Sequence, residues 1–520
     1  MFQDIGLTWG MDKCAGVDLV RGKLQHTQDT NLSSNEKLKM LDETDTYKFL
    51  GKFENSKQLE DQVFEETSRE YLKRLSVIWT SNISIPRKIR GTNTFALPVL
   101  QYQMWTGDWT IDGLKTLDRR TREIIKDNGG MHKSESTKLL YLPSSLGGSG
   151  LKSVEDTYKV TTIKAANYIN NSTDTRIKLV RSFEKLKAEE GRKSVFKQAT
   201  KYALEYNIEC TFTETGTLLT TESKTTQVNL ASPRAIKDTL SKAVIKKISE
   251  ELHQQKWLGD LTTKQHQDLN ISDNTYQIHT TWKNVPDIVC SVNKTIRQQL
   301  LPTKTYYETK LLKQVLDKRC RMCNTSTEST THVMCACSRI AQTLYKARHD
   351  KLLRPLYHYL LYKYRFQESD HSKPWYQQRL PEGKIENDHA KILWDVPFYL
   401  ERAPKDGANK PDIAVLDKDN NTWILIEGTV CSVGTIGDRS KTKEEKYSDL
   451  RMGLRSLYKE CTVTQINIVF DFLGGYYPQL EQGINILTDD RKETTFIITK
   501  CQKWLLSQNA EIVKKFYEFI

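Results

Sequence analysis

The sequence predicts a multidomain chain, mainly α-helical over most of its length, with a metal knuckle ahead of a C-terminal α/β unit. Three observations predict it. Apolar residues recur at three- and four-residue spacing through long stretches before residue 365. Four thiols and an imidazole crowd between Cys320 and Cys337. Strand-length apolar runs that carry carboxylates then follow residue 390. At roughly 150 residues per domain, 520 residues make about three to four units.

Composition narrows the class. The hydrophobic fraction is 38%, the charged fraction 28% and the mean hydropathy −0.60, yet 10 Trp, 23 Tyr and 15 Phe exclude wholesale disorder. No run approaches the roughly 18 apolar residues of a membrane span, and the N-terminus lacks the basic-then-apolar order of a signal peptide. Neither secretion nor membrane insertion is expected. The net charge of +13 favours a polyanionic partner, nucleic acid first, because lysines and arginines on phosphates release condensed counterions. A solvated basic surface is the plainer account of the same charge. Ten cysteines are too dilute for a disulfide scaffold, so their local clustering points to a metal in a reducing compartment.

In chain order, residues 1 to about 60 mix short apolar runs with turns and include the extended segment Tyr47-Lys48-Phe49-Leu50-Gly51. From Asn55 to Lys133 the period is helical, with Tyr71, Leu75, Ile78 and Trp79 on one stripe and Leu114, Leu117, Thr121 and Ile124/Ile125 on another. Arg87, Lys88, Arg90, Arg119, Arg120 and Arg122 decorate these helices with a basic face. Thr211 to Pro233 shows no sustained period and reads as a loop or insertion marking a boundary. Helix is predicted over Ala235 to Trp257 and again over Arg339 to Tyr364, where Leu352, Leu353, Leu356, Leu360 and Leu361 share a face. Gln367 to Asp388, with two prolines and a glycine, reads as a linker.

Cys320-x2-Cys323-x8-His332-x4-Cys337 has the ligand types and number of a tetrahedral structural zinc site. One ion can staple a segment too short for its own core. Cys335 is the alternative fourth ligand, and the x4 spacing favours Cys337.

Pro411 to Asp417 and Thr422 to Gly428 are strand-length runs separated by Lys418-Asp419-Asn420-Asn421, a β-hairpin pattern. With Asp419 and Asn420 central in the turn, Asp412 falls opposite Glu427, their Cβ atoms roughly 5 Å apart, close enough to share one divalent cation. A further strand is expected over Lys391 to Leu400 and another over Gln465 to Phe472. Between them, Thr442-x-x-Glu445 has capping-box spacing and predicts a helix start that places Lys443 and Lys446 in the first turn on the buried side. Paired carboxylates with nearby lysines suit a divalent-metal phosphodiesterase, whereas strand-end acids and snorkelling lysines are the structural alternative.

Together these residues resemble the C-terminal half of the polyprotein of non-LTR retrotransposons, which carry a reverse transcriptase and a restriction-like endonuclease. Gly6-Leu7-Thr8-Trp9-Gly10-Met11-Asp12-Lys13-Cys14 resembles the stretch after the polymerase's catalytic aspartates, and Tyr47 to Gly51 its primer grip. Tyr71 through Leu117-Asp118-Arg119-Arg120-Thr121-Arg122 and Leu140-Tyr141-Leu142-Pro143 to Gly147-Gly148-Ser149-Gly150-Leu151 is similar to the thumb. The cysteine knuckle, Ile392-Leu393-Trp394-Asp395 and Lys410-Pro411-Asp412 match the approach to the nuclease.

The resemblance implies a palm end over 1–60, a thumb over 61–210, a Thr-rich insertion and helical linker over 211–310, a zinc knuckle with its following helix over 311–365, and a PD-(D/E)xK nuclease over 385–520. It implies magnesium on Asp412 and Glu427, with the catalytic lysine drawn from Lys443-x-x-Lys446-Tyr447, since position 429 is Thr429. Glu427 stands where these elements more usually carry aspartate. Lys443 is favoured over Lys446. The implied function is nicking of target DNA to prime reverse transcription, with element RNA as a second partner and a nuclear location. The chain starts after the polymerase aspartates, so DNA synthesis is expected only within a full-length element. The alternative is a decayed, inactive remnant that still binds nucleic acid.

Overall fold

The computed structural model describes residues 14–21, 23–25, 28–31, 37–42, 45, 47–49, 52–54, 60–229, 233–281, 285–366, 380–399, 408–458 and 460–520. The motif at 6–13, the end of the segment at 50–51, most of the linker at 367–379 and position 400 lie outside them. The chain is a mixed α/β protein dominated by helix. It forms two units, one of Met1–Ile83, Arg87–Gly129 and Leu151–Lys247, the other of Ser84–Pro86, Gly130–Gly150 and Ile248–Ile520. No described helix is long and apolar enough to cross a membrane.

The first unit is built on amphipathic helices. α1 (Glu60–Thr80) buries Tyr71, Leu75 and Trp79, and α2 (Ile111–Asp127) buries Leu114, Leu117, Thr121 and Ile125. Both stripes follow the helical period, and the Tyr71 hydroxyl lies 3.0 Å from the Thr121 hydroxyl between them. Arg87, Arg90, Arg119 and Arg120 point to solvent, so the basic residues occupy faces the core leaves free.

α3 (Val154–Asn171) starts where α2 presents Asp118. That buried carboxylate accepts from the Ser153 hydroxyl at 2.8 Å, the Val154 amide at 2.8 Å and the Glu155 amide at 3.0 Å. It therefore satisfies donors that a helix N-terminus leaves without internal partners, and its charge lies at the positive end of the dipole. Asp118→Ala is expected to lower stability by about 2–3 kcal/mol by stranding these donors, measurable as a lower urea midpoint at unchanged m-value.

The Thr-rich stretch is not a loop. After α4 (Val195–Leu204) it forms an antiparallel sheet of β1 (Glu209–Thr213), β2 (Gly216–Thr220) and β3 (Thr225–Val228), with β2 central. Threonine is β-branched and fits a pleated surface, while Cys210, Thr217, Leu219 and Val228 supply the buried side. Gly216 opens β2 at φ +148, where an added Cβ would stand 3.1 Å from the Val228 carbonyl oxygen.

In the second unit, the helices α5 (Asp287–Arg297), α6 (Thr330–Cys335) and α7 (Lys346–Lys363) precede a five-stranded sheet. Its order is β4 (Lys384–Glu386), β5 (Ala390–Trp394), β6 (Ile413–Asp417), β7 (Thr422–Cys431) and β8 (Thr462–Asp471). All neighbours are antiparallel except β7 and β8. A parallel pair needs a crossover, supplied by α8 (Ile436–Lys446) and α9 (Ser448–Leu457). α10 (Pro478–Thr488) and α11 (Arg491–Tyr517) close the chain.

Three sequence expectations change here. The end of the predicted linker contains β4, an edge strand paired with β5. The strand expected to run from Lys391 to Leu400 stops at Trp394, because Asp395 adopts φ +54 and turns the chain away. The helix predicted to start at Thr442 already starts at Ile436, and Thr442 is an interior residue whose hydroxyl donates to the Asp438 carbonyl at 2.8 Å. Lys443 and Lys446 thus sit in the last turns of α8.

Both faces of the sheet are covered, which explains why β6 and β7 read as nearly continuous apolar runs. On one face Leu352, Leu353, Leu356 and Leu360 of α7, with Ile497, Cys501 and Leu505 of α11, pack on Ile392, Val415, Ile424 and Ile468. On the other, Tyr447, Leu450 and Leu454 pack on Ala414, Trp423, Leu425 and Val463.

Candidate functional site

Two sites emerge in the second unit, a sulfur-rich cluster and a carboxylate pair. In the first, the ligand atoms of Cys320, Cys323, His332 and Cys337 all lie within 4.8 Å of one another, the one such group of three or more His, Cys, Asp or Glu among the described residues. Zinc–sulfur bonds of roughly 2.3 Å in a tetrahedron put sulfurs about 3.8 Å apart, so the four donors fit a metal such as zinc.

Local structure explains the convergence. The Asn324 amide donates to the Cys320 carbonyl at 2.8 Å, closing a turn that Asn324 passes at φ +55 and that brings the first two thiols together. Ser329 caps α6 through the His332 amide at 3.1 Å and delivers the imidazole, whose Nε2 lies 3.3 Å from Cys323 Sγ. Tyr345 then accepts from the Cys337 amide at 3.1 Å and donates to the Val333 carbonyl at 2.7 Å, fixing the fourth ligand. Fully buried Glu328 ties the knuckle's base by accepting from Lys304 N at 2.9 Å, Arg321 N at 2.8 Å and Arg321 Nη2 at 2.6 Å.

The thiols differ in environment. Burial pushes Cys337 up to about 12 and Cys320 upward as well. At Cys323, modest desolvation is outweighed by hydrogen bonds from Thr325, the Ser326 amide and His332, which bring it down to about 5. Cys335, the alternative ligand, lies outside the cluster.

The carboxylate pair rests on the hairpin. β6 and β7 pair from Asp417↔Thr422 to Ile413↔Ile426, a register whose next step puts Asp412 opposite Glu427. The Asp412 amide donates to Glu427 Oε2 at 3.2 Å, so the two acids adjoin at the end of the paired strands. Asp412 Oδ2 accepts from the Gly428 amide at 2.7 Å and lies 2.9 Å from His349 Nε2. Glu427, 2% exposed, receives Lys443 Nζ at 2.6 Å and Lys446 Nζ at 3.2 Å on Oε1, with the Tyr447 hydroxyl at 3.1 Å.

Every sequence-predicted residue of this group is brought together. Lys443 and Lys446 share a face at i,i+3, and Gln465 on β8 donates to the Lys443 carbonyl at 2.8 Å, holding the end of α8 over the sheet. The Tyr447 hydroxyl also reaches the Lys410 carbonyl at 2.8 Å and Lys446 Nζ at 2.7 Å, linking the loop before Asp412 to the helix. Burial, then Glu427 and Asp412, hold the Tyr447 phenol neutral with a raised pKa. Thr429 lies on β7 opposite Val469.

His349 was missed by sequence reasoning. It lies on α7 at the head of the stripe His349, Leu353, Leu356 and Leu360, so a histidine aligned with an apolar face was the available signal. Its approach depends on Gly428, where an added Cβ would stand 3.0 Å from Leu353 of α7. Although burial opposes its charge, Asp350 and Asp412 raise His349 to about 10. In turn burial pushes Asp412 up, but His349, the Gly428 amide and Lys443 hold its carboxyl below the usual range. A scan of family models and a search of curated proteins found no match to the chain.

Proposed function

We propose that the chain is a metal-dependent DNA endonuclease of the PD-(D/E)xK type, joined to nucleic-acid-binding helices and a zinc knuckle as in the non-LTR retrotransposon proteins it resembles. The observation that carries this reading is the convergence of Asp412, Glu427, Lys443, Lys446 and Tyr447 from two strands and the following helix. Buried carboxylates cost several kcal/mol unless they are paired, and a purely structural role would not need two lysines and a phenol aimed at one oxygen.

The donor set fits magnesium, which is usually held by one or two carboxylates and completed by water and substrate phosphate. Bound to Asp412 and Glu427, it would supply a Lewis acid for the phosphodiester and a lower pKa for water. The protein's own groups have distinct tasks. His349 and the Gly428 amide fix the Asp412 carboxylate, Tyr447 fixes Glu427, and the lysine nearest the phosphate orients the nucleophile and offsets charge that builds on the phosphoryl oxygens. Target DNA and element RNA are the partners, with action in the nucleus.

Supercoiled plasmid incubated with the purified chain is expected to be nicked with magnesium and to stay supercoiled in EDTA. Plasmid that stays supercoiled in both conditions would leave only the reading of a nucleic-acid-binding remnant.

A further inference from the structure

We infer that the second unit carries a separate binding groove for single-stranded nucleic acid, formed by α11, α7 and α5 on the side of α7 turned away from His349. The groove encloses about 1960 Å³. On α7, Lys351, Pro355 and His358 line it, and at about 100° per residue all three lie about 120–180° around the helix from His349. This site is therefore distinct from the carboxylate pair and does not rest on its activity.

The lining is basic and aromatic in alternation. α11 turns Ile497, Cys501 and Leu505 into the core and leaves Phe496, Lys500, Lys503, Trp504 and Lys514 along the groove. Five lysines, at 351, 492, 500, 503 and 514, line it against a single acid, Glu511, among the described residues. No carboxylate of a described residue makes an ion pair with Lys351, Lys492, Lys500 or Lys514. Burial and the Arg354 guanidinium draw the Lys351 ammonium below its usual pKa, with Glu511 opposing, so an added anion would be welcome there. The rings are set among these cations. Lys351 Nζ lies 6.0 Å from the Trp504 ring centre and Lys500 Nζ 5.1 Å from that of Phe496, which is 44% exposed.

Cations that track a backbone and rings that offer stacking platforms are the two parts of a single-strand site. A duplex keeps its bases stacked inside and would use only the lysines, and a purely acidic chain such as polyglutamate has no ring to stack on an aromatic face. The ligand is thus an unpaired DNA or RNA strand.

The test is fluorescence anisotropy of the full chain with labelled single-stranded DNA and RNA of about twenty nucleotides, and with a duplex of the same length. The triple variant Lys492→Glu, Lys500→Glu, Lys514→Glu changes exposed or half-exposed residues and should keep the wild-type circular dichroism. Its single-strand affinity should fall at least about tenfold, and the slope of log K against log salt should shrink by about two, from roughly 0.7 per lost phosphate contact. Trp504→Leu should lose about tenfold on single strands and little on the duplex, as expected for one stacked base. Either the DNA or the RNA strand showing this pattern supports the groove and identifies its ligand. Wild-type affinity in the triple variant overturns it. So does an equal loss on duplex and single strand in Trp504→Leu, or displacement of the oligonucleotide by polyglutamate at matched charge.

Discussion

Asp412→Asn is expected to cut magnesium-dependent nicking by on the order of 10³-fold or more while leaving duplex affinity within about twofold. The substitution keeps the shape of the side chain and removes one negative charge where the cation would sit. The asparagine carbonyl oxygen can still accept from the Gly428 amide, which now donates to Asp412 at 2.7 Å. The same carbonyl oxygen, taking the place of Oδ2, also accepts from His349 Nε2, which now lies 2.9 Å from that position. The fold should therefore survive, and the basic surfaces that bind phosphate are untouched. Glu427→Gln should act in the same direction, because both lysines and Tyr447 converge on the oxygen it alters. The lysines separate by geometry. Lys443 approaches Glu427 at 2.6 Å, while Lys446 stands at 3.2 Å and is held by the Tyr447 hydroxyl at 2.7 Å. Lys443→Ala should thus cost more activity than Lys446→Ala. Should Asp412→Asn nick as fast as the unmodified chain at equal magnesium, the hairpin is structural and the binding-protein reading replaces the nuclease.

The hairpin was legible because a strand pair is a local device: its turn sets the register, and the register sets which side chains meet. Counting outward from Asp419-Asn420 was enough to face Asp412 with Glu427. The cluster of Cys320, Cys323, His332 and Cys337 was legible for a similar reason, since its spacing is confined to one short segment. What the sequence hid is non-local or chemically ambiguous. His349 reaches Asp412 across 63 residues, and nothing in the neighbourhood of either residue announces the other. The Thr-rich stretch carries β propensity and turn composition in the same residues, and only pairing with a central strand decides between them. The false helix start at Thr442 arose because capping-box spacing also occurs inside helices, where threonine bonds backwards to a carbonyl and caps nothing. The two-unit division was equally hidden, because segments 84–86 and 130–150 join residues far along the chain.

Loss of the zinc site is expected to have the other large effect, and it falls on stability. The purified chain should contain one zinc, and Cys320→Ser or a strong chelator should remove it. Structural zinc in isolated fingers is worth apparent energies of about 10–16 kcal/mol, part of which this knuckle replaces with packing. Cys320, Met322, Val333, Met334, Cys337 and Ile340 share a core with Phe472, Ile512 and Phe516, so the knuckle is braced by the residue that follows β8 and by the end of α11 rather than standing alone. A loss of about 4 kcal/mol follows if roughly a third of the finger energy is felt, and it lowers Tm by roughly 6 °C for a unit of this size. The same core carries the disturbance onward to α11, so single-strand binding at the groove should weaken in the same sample. Cys335→Ser provides the control, since that sulfur is shielded by burial beside Arg348 and stands outside the four-ligand group. It should keep its zinc, whereas Cys337→Ser should not. Metal analysis that finds no zinc in the wild-type chain, or zinc lost from Cys335→Ser but retained in Cys337→Ser, would overturn the assignment of the fourth ligand and with it the physical account of how this segment folds.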